Sequence, residues 1–407
     1  MKISEFANEF GVSNDTVRYY MELNLLTPQK KGGHYFYDKK CKTQMEDLLE
    51  LKEMGFSLKE IKNIFYFKRM GKLTSYQKNK YYQQLYQDKE EELKEEIANM
   101  EKAKKKLNKK IMKLKAKDKN NNITIGIDLS VLSLLNCPKC NGELKLSAHK
   151  VKENQVLEGS LTCKCGESLQ IKDGIIYNID YEYKSEIVED NHIEDYIKNT
   201  DSDFIDKSYK SLQWLTREFI DQDIKNKIIM EPGSGYGHFL RQIYHELNED
   251  TVYICIEKDP NLNKLLKKSL ENTGEKKNLI FITANLPDIP IKEKSIDMLV
   301  DFTGTSDYSF QNEDFLPESL NIYLKNEAIY LASFIIYERF GSNSVVSLPY
   351  RQNFKYKNIK DKILSLDFEI KKEYKSEIVK IKKTFGKYED FAQIGDQLCS
   401  YQLKALR

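Results

Sequence analysis

The apolar run KIIM at residues 227–230 passes directly into EPGSGYGHF, residues 231–239. Glycines at every second position after an apolar run describe a buried strand, a tight turn and the start of a helix. A strand that is apolar on both faces must be covered on both, which points to a mostly parallel sheet between helices. The rest of the chain from about residue 180 agrees, because strand-like and helix-like stretches alternate there. Gly233, Gly235 and Gly237 run GxGxG, whereas a dinucleotide fingerprint runs GxGxxG, so NAD fits poorly. The second strand, VYICIE, ends at Glu257, 26 residues after Glu231, and a carboxylate there can accept both hydroxyls of a ribose. The third, NLIFITAN, ends at Asn285, whose amide can hydrogen-bond an adenine edge. A fourth, SIDMLVDF, starts near Asp297 and leads into TGTSDYSF, which should line the pocket.

Together with a fifth strand, EAIYLASF, and a closing pair, FEIKKEY and DQLCSYQLKAL, these stretches resemble the class I S-adenosylmethionine methyltransferases over residues 225–407. The resemblance implies S-adenosylmethionine as cofactor. It puts Glu231 near the amino-acid part, lets the backbone at Gly233, Gly235 and Gly237 approach the cofactor, and gives Glu257 the ribose. Asn285 stands where the family usually has Asp. An αβ core without a cofactor is the alternative. Base-amine methylation needs (N/D)PP(Y/F/W) after the fourth strand and C5 methylation needs a Cys after Pro; DFTGTSD has neither, which sets DNA-base methylation aside. No catalytic residue is read from the sequence, since methyl transfer can rest on alignment alone. Asp307, Tyr308 and His238 are candidates to touch the acceptor, each equally readable as structural. Cys255, Cys399 and Trp214 read as packing residues.

The N-terminus is built differently. ISEFANEF is an amphipathic helix, Gly11 a turn, and Ser13 a cap for a second helix, NDTVRYYMEL. That helix presents Thr16, Arg18, Tyr19 and Tyr20 near its exposed side, while Lys30, Lys31, the Gly32-Gly33 turn and Tyr37 form a wing suited to phosphates. TVRYYMELNLLTPQKKGGHYFYD, followed by LLELKEMGFSLKEIKNIF, resembles the MerR family of bacterial transcription regulators over about the first seventy positions. The resemblance implies phosphate and groove contacts from Arg18 and Tyr19 and wing contacts near Tyr37; Tyr35 replaces the usual wing arginine. The alternative is a helix-turn-helix used only for packing.

Residues 75–118 form a charged run without Pro or Gly. Leu93, Ile97, Met100, Leu107, Ile111 and Leu114 follow four- and three-residue steps, with Lys104 filling the step between Met100 and Leu107, so a coiled-coil seam is expected. Residues 88–96 hold six acids and two lysines, whereas 101–119 hold ten lysines and two acids. An antiparallel homodimer sets acid against base and a parallel one does not. A single solvated helix with a lysine face is the alternative.

Cys137 and Cys140, then Cys163 and Cys165, are four of seven cysteines, with 22 residues between the pairs. Two such knuckles can close a tetrahedral thiolate site for a structural zinc, or stand as a reduced, metal-free cluster. The stretch resembles the zinc ribbons that precede some RNA-modifying methyltransferases. No signal core and no uncharged run of roughly eighteen residues appears, so a cytoplasmic protein without a membrane span is expected.

The expected architecture is multidomain: a mainly α winged helix-turn-helix at 1–72, a coiled-coil helix at 75–118, a zinc ribbon at 130–180 and an α/β Rossmann-like methyltransferase domain at 181–407. The expected partners are operator DNA, a second copy of the chain, and a small molecule that is either methylated or sensed. A ligand sensor without turnover and an RNA-modifying enzyme with a DNA-binding head are the competing functions.

Overall fold

The computed structural model describes residues 1–71, 74–117, 123–178, 192–200, 202–382 and 391–407; the side chains at positions 31, 115–117, 192, 193 and 195 also lie outside the description. The KNNN break at 119–122 and part of the stretch around residue 180 therefore fall outside it. The chain divides into two compact units, Met1–Lys119 and Asn120–Arg407.

In the first unit, α1 (Ile3–Glu9) and α2 (Asn14–Glu22) are joined by a turn at Gly11, φ +63°, and Ser13 Oγ caps α2 by accepting from Thr16 N at 3.0 Å. Strands β1 (Gln29–Lys31) and β2 (His34–Phe36) make a hairpin whose two loop residues, Gly32 and Gly33, have φ of +57° and +85°. Two successive left-handed positions are what a two-residue hairpin loop demands. α3 (Lys39–Glu53) is capped by Asp38, and α4 (Leu58–Met70) by a capping box between Ser57 and Glu60. Phe6, Val17, Leu48, Ile61 and Phe65 close one core.

The long α5 (Ser75–Lys117) adds Tyr82 and Leu85 to that core. Tyr81 stacks on Phe67 with ring centroids 3.5 Å apart, and the nearly buried Lys89 pairs with Glu60 at 2.8 Å while lying over the Phe56 ring. Past Leu93, which lies against Gly55, the described apolar seam residues stand open to solvent. Ile97, Met100, Leu107, Ile111 and Leu114 are 47–68% exposed.

The second unit is one mixed sheet, thirteen strands among the described residues. It opens with β3 (Ile127–Asp128), β4 (Leu144–Lys152), β5 (Gln155–Cys163), β6 (Ser168–Lys172) and β7 (Ile175–Asn178). After α6 (His192–Asn199) and α7 (Ser202–Ile220) come β8 (Ile228–Pro232), α8 (His238–Ile243), β9 (Val252–Glu257), α9 (Pro260–Glu271), β10 (Asn278–Ala284) and β11 (Ile296–Phe302). Then follow α10 (Gly304–Ser309), α11 (Leu316–Leu320), β12 (Leu324–Arg339), α12 (Tyr356–Ser365), β13 (Glu369–Lys375), β14 (Val379–Lys380) and β15 (Gln397–Leu406).

The central order is β10-β9-β8-β11-β12-β15-β13, parallel except for β15, which runs antiparallel to both neighbours. Side chains alternate between two cores. Met230, Ile254, Ile282 and Leu299 face one side, with Ile359 and Ile363 of α12, whereas Ile229, Tyr253, Phe281 and Val300 face the other, with Leu215, Phe239 and Leu266. The order reverses between β8 and β11, and in open sheets of this kind the ligand crevice lies at such a switch point, outside the carboxyl ends of the strands.

The cysteine-bearing strands are not set apart from this sheet. β7 pairs in parallel with β10 from Phe281↔Ile175 to Ala284↔Asn178, and Val131, Leu161 and Ile171 share a core with Ile254 and Ile280. Sheet and core therefore cross the boundary drawn at residue 180.

Candidate cofactor cleft, metal centre and DNA face

At the crevice, Gly233, Gly235 and Gly237 have φ of +65°, +52° and +70°. Each uses glycine for its own reason. A Cβ on Gly233 would meet Gly304 Cα at 2.9 Å, and one on Gly237 would meet Leu266 Cδ1 at 2.3 Å; one on Gly235 would meet only Gly233 O, at 3.9 Å. Only the turn at Gly235 thus leaves space above the backbone. Gly304 seals the other side, since a Cβ there would lie 2.0 Å from Pro232 O.

Glu257 ends β9 and fastens this turn. Its Oε2 accepts from Gly235 N and its Oε1 from Asp259 N, both at 2.9 Å. Burial pushes its carboxyl up, and those two N–H groups pull it down. Each oxygen keeps one lone pair for a further donor. Asn285 follows the end of β10 and is exposed.

Glu231 is not an open cleft residue. It is 2% exposed and accepts from Tyr253 Oη at 2.7 Å. Burial pushes its carboxyl up to about 8, the Tyr253 hydroxyl opposes that, and the charges of Asp301 and Glu257 reinforce it. Asp301, fully buried at the end of β11, accepts from Thr305 N at 3.0 Å, from the Thr305 hydroxyl and from Tyr330 Oη at 3.1 Å. It fixes the start of α10. Asp297, near which the sequence places the start of that strand, lies at its opposite end, accepts from Ile228 N and pairs with Lys325. Thr303 carries φ +68°, an unusual left-handed conformation for a β-branched residue, at the same junction.

Asp307 is reached by water but walled in by protein, and poor solvation, then Glu257 and Asp301, raise its carboxyl. His238 is exposed beside the turn, its ring 6.0 Å from Tyr196, 6.1 Å from Tyr236 and 6.4 Å from Phe302. Tyr308 is half-buried. Cys255 and Cys399 are buried, and Trp214 packs against the core beneath α7.

The four cysteines converge. Cys137 Sγ lies 3.6 Å from Cys165 Sγ and Cys140 Sγ lies 3.4 Å from Cys163 Sγ, and all four sulfurs are within 4.8 Å of one another. A tetrahedral ion with bonds of about 2.3 Å spaces its sulfurs by about 3.8 Å, so the donor set fits a metal. Asn141, φ +53°, and Gly166, φ +97°, turn the two knuckles.

On the helix-turn-helix, Tyr19 is 50% exposed, Arg18 is exposed and paired with Asp15 at 2.7 Å, and Thr16 is half-buried against Ser13. Lys30 is exposed and lies over the ring of Tyr35. The side chain of Lys31 is outside the description. Two tyrosines expected on this face are not there. Tyr20 is 3% exposed because it shares the buried side of α2 with Val17, one turn earlier. Tyr37 is 2% exposed, stacked on Phe6 with its hydroxyl donating to Met21 Sδ at 2.9 Å.

A winged helix-turn-helix followed by the seven-strand order with its reversed last strand defines a DNA-binding head on a class I methyltransferase fold. Residues 1–68 match the family described as MerR HTH family regulatory protein, and this segment is a MerR-type domain. Over 63 residues the chain is 36% identical to nodulation protein NolA of Bradyrhizobium diazoefficiens, a match that spans 15% of this chain and 27% of NolA. Solved structures similar to the chain include a SAM-dependent methyltransferase from Aquifex aeolicus, 11% identical, covering 54% of this chain and 99% of that one, with a TM-score of 0.33. Another is a SAM-dependent methyltransferase from Thiobacillus denitrificans in complex with S-adenosyl-L-homocysteine, 14% identical, covering 41% and 66%, TM-score 0.32. A third is geranyl diphosphate C-methyltransferase from Streptomyces coelicolor, 12% identical, covering 49% and 76%, TM-score 0.36. At such scores the strand order, not the overlay, carries the fold assignment. Among the described residues no helix is long and apolar enough to cross a membrane.

Proposed function

We propose that this chain is a DNA-binding transcription regulator of MerR type whose second unit binds S-adenosylmethionine and methylates a small molecule in the cytoplasm. The observation that carries the reading is the Glu257 clamp on the Gly235 N–H, at the open turn of a doubly wound sheet. Glu257 would hold the ribose, Asn285 the adenine edge, and the backbone at Gly235 the amino-acid part. Glu231, enclosed beneath the turn, would act through Tyr253 and not by direct contact. The cofactor would supply an electrophilic methyl group. The Glu257 carboxylate at the turn favours a positively charged occupant, and S-adenosylmethionine carries a sulfonium and an ammonium.

In the same proposal Cys137, Cys140, Cys163 and Cys165 hold a structural zinc in a ribbon at 130–180, ahead of a methyltransferase domain at 181–407. Arg18, Tyr19, Thr16 and Lys30 face operator DNA. The uncovered seam of α5 pairs antiparallel with a second copy, because its acidic start then meets the lysine-rich end of its partner. Titration calorimetry of the full chain with S-adenosylmethionine tests the reading; no binding overturns it. Binding followed by no methyl transfer into any fraction of a cell extract would leave a sensor in place of an enzyme.

A further inference from the structure

Beyond the glycine turn, α10 carries side chains that the cofactor reading leaves unused. α10 starts at Gly304, in contact with Gly233, and six residues at about 1.5 Å each carry it roughly 9 Å to Phe310. Thr303, Asp307 and Phe310 follow four- and three-residue steps and so share one side of it. The Phe310 ring lies 5.7 Å from that of Phe391, which lies 5.7 Å from that of Phe204 at the start of α7. All three rings are only half-buried. On the near side, Tyr196 of α6 meets His238 beside the glycine turn. Half-buried rings thus run on from the far end of α10, where Phe310 also meets Phe354 at 4.7 Å, and a further ring stands beside His238, with the exposed Asp307 on α10 nearer the glycine turn.

We propose, resting on the methyltransferase reading above, that the methyl acceptor is a small aromatic molecule bearing a hydroxyl, its ring against Phe204, Phe310 and Phe391 and its hydroxyl beside Asp307. Offset and edge-to-face aromatic contacts favour a planar ring over an alkyl chain of equal area. The carboxylates repel an anionic acceptor and accept a hydrogen bond from a neutral hydroxyl. In the transfer, Asp307 takes the hydroxyl proton as the oxygen lone pair attacks the methyl carbon of S-adenosylmethionine. The carbon–sulfur bond breaks with its electron pair on sulfur, so the sulfonium becomes a thioether and the phenol a methyl ether. A carboxyl raised by poor solvation is a better proton acceptor than an ordinary one.

The test uses the full chain saturated with S-adenosylhomocysteine and 2-naphthol as the probe, read by calorimetry and by naphthol fluorescence. Wild type should bind 2-naphthol, and Phe310→Leu and Phe204→Leu, which keep apolar bulk and so preserve folding, should each weaken it about 10-fold. Affinity for S-adenosylhomocysteine should not change in either variant, and melting temperature and operator binding report that both have folded. Asp307→Asn should still bind 2-naphthol but form no methyl naphthyl ether from S-adenosylmethionine. Absence of 2-naphthol binding to the loaded protein, or equal binding by Phe310→Leu, overturns the acceptor assignment. Equal affinity for an aliphatic alcohol, 1-decanol, overturns the aromatic class. Failure of wild type to bind S-adenosylhomocysteine overturns the cofactor reading instead.

Discussion

Replacing Glu257 with Gln tests the clamp with little change in volume. In the wild type both carboxylate oxygens receive backbone N–H groups, Gly235 N on Oε2 and Asp259 N on Oε1. An amide has one oxygen, so whichever way it turns its NH2 faces one of these N–H donors. One buried donor loses its partner, and the ribose loses one charged acceptor. A hydrogen bond to a charged group contributes about 1.5–3 kcal/mol, so S-adenosylmethionine affinity should fall roughly 10- to 100-fold. Glu257→Asp keeps the charge but, one methylene shorter, cannot reach Gly235 N and Asp259 N together, and should fall between. Calorimetry on the three proteins gives the dissociation constants, and operator titration without cofactor should give one DNA affinity for all three. If cofactor regulates the head, it must bind the DNA-competent and incompetent states unequally, and Glu257→Gln should lose that effect at wild-type-saturating concentrations. A dissociation constant within about threefold of wild type, in a variant with an unchanged melting temperature, would refute the clamp as the basis of binding.

The buried Glu231 predicts a pH effect on the cofactor-free protein: its folded carboxyl, near 8, lies above the unfolded value of 4.5, so its contribution is intact below about pH 4.5 and is lost as pH rises toward 8. Wild type should lose up to about 1.4 kcal/mol per pH unit across that window relative to Glu231→Gln, and parallel denaturation curves at pH 5 and pH 8 would refute this. Elemental analysis should find one zinc per chain, and Cys163→Ser should lose it and lower the melting temperature, because the knuckle strands share the main sheet and core. Arg18→Ala should weaken binding to all DNA sequences and reduce the salt slope by about 1 per head, as one phosphate contact requires; an unaltered slope would exclude that contact. In an antiparallel coil spanning Leu93 to Leu114, a cysteine replacing Lys104, near the midpoint, should cross-link to its own copy and one replacing Leu93 should not. Equal cross-linking would favour a parallel coil.

How much of this was legible depends on the distance over which each feature is encoded. The wing loop, the caps at Ser13 and Ser57, and the glycine turn are written in fewer than ten residues, because left-handed backbone and unpaired helix N–H groups demand particular side chains locally. The alternation of strands and helices after residue 225 was readable for the same reason. The burial of Tyr20 had a local signal too, its three-residue spacing from Val17, but tyrosine's polar tip lets one residue suit either a core or a DNA face. Nothing local announces that IIYN of β7 pairs with a strand about a hundred residues on, so a segment that looks like a separate ribbon is the sheet's own extension. Asp301 was overlooked for a related reason: its partners are Thr305, four residues away, and Tyr330, on the next strand. Glu231 is the sharpest case. An acidic residue at the mouth of a parallel strand can turn toward the cleft or under the sheet, and strand alternation puts Glu231 on the side of Ile229. There the in-register neighbour of Ile229, Tyr253, reaches its carboxylate. Its position was fixed by the motif, whereas its environment was set by a neighbouring strand. The enclosed carboxylate is therefore held by Tyr253, and in the proposed function contact with ligand falls to Glu257, whose oxygens fasten Gly235 N and Asp259 N.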